Sequence, residues 1–142
     1  MDIKTESIQP TASARADRRF TADRDSVSAG DDCQLHEVAF AVPPQASVQE
    51  LVRIALTACR LASIAGGQAT WIVQAGGYGG SPLAVVAQQW AAPRFLAPAG
   101  ETVERFFSGC EPRVFFRYWC QADPQTVFDA LAAGTPLPAR HG

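Results

Sequence analysis

Arg113-Val114-Phe115-Phe116-Arg117-Tyr118-Trp119-Cys120 decides how this chain is read. Its β-branched and aromatic residues suit a pleated, half-buried surface, so the run predicts a β-strand. Alternation divides it into a Val114, Phe116, Tyr118, Cys120 face and an Arg113, Phe115, Arg117, Trp119 face. The first face predicts packing against helices. The second alternates cations with aromatics, the residue types enriched in interface hot spots, and nominates Arg113, Phe115, Arg117 and Trp119 as a partner-binding set. In the plainer alternative that face is covered by the N-terminal segment, the last helix or a dimer mate.

The flanks supply the neighbours such a strand needs. Downstream, Asp123 followed by Pro124 predicts a helix start; Val127, Phe128 and Leu131 give its apolar side, and Gly134 ends it. Upstream, Glu101 to Phe107 predicts a short helix stopped at Gly109. Pro93 to Pro98 reads as a connection or a short edge strand. Thr70-Trp71-Ile72-Val73-Gln74 predicts a strand. Leu83 to Trp90 admits two readings: Val85-Val86 and the preceding glycines favour a hairpin partner, whereas Ser81-Pro82 and the spacing of Leu83, Val86, Ala87 and Trp90 suit a helix. The strand is preferred.

Ser47 and Glu50 form a capping box, followed by Leu51, Ile54, Ala55, Ala58, Leu61 and Ala62 at helical spacing, with Gly66-Gly67 as the stop. Leu35 to Val42 predicts the first strand, ended by Pro43-Pro44, with Val38, Phe40 and Val42 on its core side and His36 sharing that parity. The order is therefore β-α-β-β-α-β-α. An α+β domain follows: a four-stranded antiparallel or mixed sheet with helices on one face, for which a ferredoxin-like split β-α-β is one solution.

Charge is unevenly distributed over the 142 residues. Residues 1–33 hold seven acids and five bases and few large apolar side chains, so they predict a disordered charged tail, with 34–142 as one folded body. The overall net charge of −2 argues against a dedicated nucleic-acid binder. No apolar leader or membrane span is legible, and Cys33, Cys59, Cys110 and Cys120 form no C-x-x-C pair. Both features point to reduced thiols in the cytoplasm.

Three motifs bear on chemistry. Gln74-Ala75-Gly76-Gly77-Tyr78-Gly79 fits Q-x-x-G-x-G and resembles the pyrophosphate-cradling loop of coenzyme A-dependent acyltransferases. That resemblance implies Gln74, Gly77 and Gly79 at a cofactor, and it requires a helix to start after loop 76–80. A flexible hairpin loop is the alternative. Asp31, Asp32, Cys33, His36 and Glu37 cluster potential metal ligands, but no second Cys/His pair completes a zinc set, so no metal is assigned. Ser81 lacks the G-x-S-x-G elbow, and His36 and His141 are the only imidazoles, so no catalytic triad is assigned.

No cofactor is assigned. The leading expectation is a small non-enzymatic protein-binding module, with an immunity-type protein that neutralises a cognate toxin as its concrete form. A small acyltransferase using the glycine loop is the alternative, and a homo-oligomeric structural protein, in its simplest form a homodimer, is the third reading.

Overall fold

The computed structural model describes residues 17–25, 37–61, 67–76, 80–96, 98 and 100–139. Its elements in chain order are β1 (Arg18–Arg24), β2 (Val38–Val42), α1 (Val48–Ala58), β3 (Thr70–Ala75), β4 (Ser81–Ala87), β5 (Arg94–Phe95), α2 (Val103–Phe106), β6 (Arg113–Tyr118) and α3 (Pro124–Ala133). The strands form one mixed sheet in the order β2-β1-β6-β3-β4-β5. β1 and β6 run parallel, and every other neighbouring pair is antiparallel.

The α+β class with a mixed sheet is as the sequence predicts, but the sheet has six strands rather than four and its order differs from a ferredoxin-like one. One added strand is the two-residue edge β5, foreseen as an alternative to a connection. The other is β1, which lies inside the segment predicted to be a disordered tail. Over Arg18–Arg24 that expectation is corrected; 1–16 and 26–33 lie outside the described residues. The physical reason is one-sided burial. Phe20 and Ala22 face the core and are fully buried, while the intervening positions face away and tolerate charge. Two core-facing residues at alternate positions suffice when both neighbouring strands provide the ladder.

Helices lie on both faces rather than one. α1 and α2 cover the first, where Phe20, Leu51, Val52, Trp71, Phe107 and Phe116 are among the buried residues of the larger core. Ser47 Oγ accepts the Glu50 N–H at 3.0 Å, so the predicted cap forms. Thr102 caps α2 in the same way, accepting the Arg105 N–H at 3.2 Å. The two helix starts are tied side by side: the Val48 N–H donates to Glu101 O and the Val103 N–H to Ala46 O, both at 2.8 Å. α1 ends at Ala58, short of the predicted Gly66-Gly67 stop, because Cys59 turns to an extended conformation and is itself buried. Residues 62–66 lie outside the described residues.

The 81–90 ambiguity resolves as a strand. β4 pairs with β3, and a bulge between Val73 and Gln74 turns both Leu83 and Ala84 into the larger core. α3 packs on the opposite face, over Ile72 and Val85, with Val127 and Trp119 completing a smaller core. Its ends match the sequence: the Thr126 N–H and hydroxyl both donate to Asp123 Oδ2, and Gly134 adopts a left-handed φ of 71°.

Phe20 tests the corrected strand. It stacks on Phe40 (ring centroids 5.9 Å apart) and meets Phe107 edge-on at 5.0 Å. Phe20→Ala is expected to cost about 3–5 kcal/mol in urea denaturation. A loss below about 1 kcal/mol would show that β1 is not part of the cooperative unit.

Candidate functional site

Arg113, Phe115 and Arg117 project from β6 on the face opposite the larger core. β6 is an interior strand, so what covers this face depends on its neighbours. On the β3 side, α3 supplies a roof. On the β1 and β2 side, the surface stays open: Arg19, Ala39 and Ala41 are exposed, and Thr21, Asp23, Phe115 and Arg117 are half-buried. The register places Thr21 beside Arg113 and Asp23 beside Phe115 on the parallel neighbour, and Ala39 beside Thr21 on the next strand. A shallow hollow of about 240 Å³ lies at one end, among Arg19, Thr21, Ala39, Pro112 and Arg113. That is below the roughly 300 Å³ at which small-molecule pockets begin.

The charges on this face are partly matched. Arg113 Nη2 contacts Glu37 Oε2 at 3.0 Å, a solvent-exposed pair of little energetic consequence. The Arg117 guanidinium lies 4.8 Å from the Trp119 ring centre.

Trp119 itself does not belong to this surface. It is only 8% exposed, and its indole N–H donates to Pro138 O at 2.8 Å. Alternation keeps Trp119 on the Arg117 side, and there α3 covers it, while Cys120 beyond the strand has a positive φ of 56°. α3 needed an apolar target on this side. Trp119, Ile72 and Val85 are that target. Of the four nominated residues, Arg113, Phe115 and Arg117 therefore lie on the open half of this face, next to β1 and β2 residues that the sequence reading missed. The available signal was Arg18-Arg19-Phe20-Thr21-Ala22-Asp23-Arg24, where two apolar residues, Phe20 and Ala22, alternate with polar ones.

The glycine loop closes a hairpin. Ala75 pairs with Ser81 across it, and Gly76 has a φ of 87° with its α-carbon facing Cys110, where a Cβ would come within 3.1 Å of the sulfur. Gln74 is buried in β3, and Gly77 and Gly79 lie outside the described residues. The element that follows the loop is a strand, so the helix N-terminus that the acyltransferase resemblance requires is not there. Asp31, Asp32, Cys33, His36 and His141 also lie outside the described residues. Among the described residues no group of three or more His, Cys, Asp or Glu side chains could hold a metal, and no helix is long and apolar enough to cross a membrane.

Cys59, Cys110 and Cys120 are not in disulfides. Burial pushes the Cys59 thiol up to about 11. The folded state thus holds this proton more tightly than the unfolded chain does. The associated stability is fully present below the ordinary thiol range and is lost as pH rises toward 11.

Comparison with protein-family models, with curated proteins and with solved structures gives no match.

Two outcomes are expected. Trp119→Ala should cost about 3–5 kcal/mol of stability, since it removes a ring from a closed core; a midpoint unchanged in urea would return Trp119 to the open surface. With an aromatic disulfide reagent at pH 8, the Cys59 peptide should stay unmodified in native protein and react on unfolding, because roughly one part in a thousand of the native thiol is ionised at that pH.

Proposed function

We propose that this chain is a small non-enzymatic protein-binding module whose binding surface is the open half of the second sheet face. One observation carries the reading: an interior strand, β6, has one face closed by the larger core while Phe115 and Arg117 on the other remain half-buried and accessible. Aromatic side chains lose little conformational freedom on binding, and aromatic and guanidinium groups are the types that dominate interface energetics. β1 extends the patch with Arg19 and β2 with two alanines, which leave room for a partner's side chains.

An immunity-type protein that occludes a cognate toxin in the cytoplasm is the concrete form of this reading. It is supported by the small single sheet and by the cation–aromatic half-face that the sheet leaves open. The coenzyme A reading keeps only its loop motif, with a hairpin strand where its helix would be.

The test begins with a partner isolated from native extract with the full-length chain and then titrated against variants. Arg19→Ala combined with Arg117→Ala should weaken that complex about thirtyfold, which is roughly 2 kcal/mol. The thermal midpoint should fall by no more than about 5 °C. Undiminished affinity in the folded double variant would overturn the assignment. So would calorimetric titration with acetyl-coenzyme A that gives micromolar binding.

A further inference from the structure

The two edges of the sheet are built differently. β5 at one edge is two residues long and follows Pro93; its Arg94 lies 4.4 Å from the Trp90 ring centre and donates to Gln125 on α3. Shortness, proline and a charge are the usual devices that stop an edge from recruiting another strand. β2 at the opposite edge has none of them. Val38-Ala39-Phe40-Ala41-Val42 carries no charge, proline or glycine, pairs with β1 without a bulge, and meets Pro43 only after it ends. Among the described residues its outer backbone groups bond to nothing. Val38 and Phe40 stay half-exposed although they pack against the larger core.

The sequence of this edge indicates its occupant. Val-Ala-Phe-Ala-Val reads the same in both directions. Antiparallel pairing with a second copy about a twofold axis at Phe40 sets Val38 against Val42, Ala39 against Ala41, and Phe40 against Phe40. Every cross-strand pair is then like with like. On the core side the Phe107–Phe20–Phe40 row continues into the second copy, and valines flank it. On the open side the alanines make a flat seam between two copies of the exposed face.

We propose that β2 pairs antiparallel with β2 of a second copy, joining two six-stranded sheets into one across a twofold axis. The pairing is isologous, and it stops at two chains because the blunted β5 edge offers no second template. It goes beyond the open-face reading and needs no other partner, so a failure of either leaves the other standing.

The experiment measures self-association of the purified full chain by sedimentation velocity from about 1 to 100 µM, a range that reads a micromolar Kd. Wild type is expected to dimerise. A39E/A41E sets glutamates against glutamates across the axis and should raise the dimer Kd at least about tenfold. A39K/A41E sets lysine against glutamate and should dimerise again. Both variants put the same glutamate beside Arg19 within the chain, so they differ only at position 39, which neighbours Thr21. Circular dichroism checks that both are folded. Hydrogen exchange gives a readout on wild type alone: amides of residues 38–42 should exchange more slowly at high than at low concentration. A monomer throughout the range, equal association of the two folded variants, or exchange at 38–42 independent of concentration would each overturn the proposal.

Discussion

The parallel pairing of β1 with β6 is the contact on which the rest of this sheet depends. β6, β3, β4 and β5 form one antiparallel run, and β1 with β2 forms another. Among the described residues their ladders meet only where Thr21 to Arg24 lies beside Arg113 to Phe116. The seam is locked at its end by Asp25, whose N–H donates to Phe116 O and whose carboxylate accepts the Tyr118 N–H, both at 3.0 Å. A parallel ladder cannot come from a tight turn. It brings together segments about ninety residues apart in sequence, so it is costly in chain entropy and must be offset by burial. Phe20 supplies that burial, wedged between Phe40 and Phe107.

Both candidate surfaces follow from this seam. Inserting β1 beside β6 widens the sheet beyond what α3 spans, so the smaller core closes over β3 and β4 and leaves β6, β1 and β2 uncovered on that side. The same insertion moves the free edge outward to β2, a strand of small and apolar residues. The open face and the β2 edge adjoin along Ala39 and Ala41, so a dimer through the edge would present two such faces on one continuous sheet. A partner meeting both at once would gain affinity from two linked contacts.

Much of the local structure was legible because it is encoded within a few residues. The Ser47 cap, the Pro124 and Gly134 bounds of α3, and the core parity of Val114, Phe116 and Tyr118 each depend on neighbours at most four positions away. The Leu83–Trp90 segment was ambiguous for the opposite reason. Its pattern suits either period, and only the ladder with β3 selects the strand. Alternation placed Trp119 on the right side of β6, beside Arg117 and Ile72, but its burial there depends on α3 and on the Pro138 carbonyl, which local spacing does not reveal.

Sequence alone therefore determined the α+β class, the helix caps, most strands and the mixed cation–aromatic side of β6. Tertiary structure decided that a charged N-terminal segment is an interior strand, that helices lie on both faces, and which half of the second face stays open. The division has one physical cause. Caps, turns and alternation are short-range constraints carried by adjacent residues, whereas the coverage of a sheet face depends on which distant strands share its ladder. Arg18–Arg24 has too little apolar surface to hold a conformation by itself, and it becomes a strand only between two partners that already present their edges.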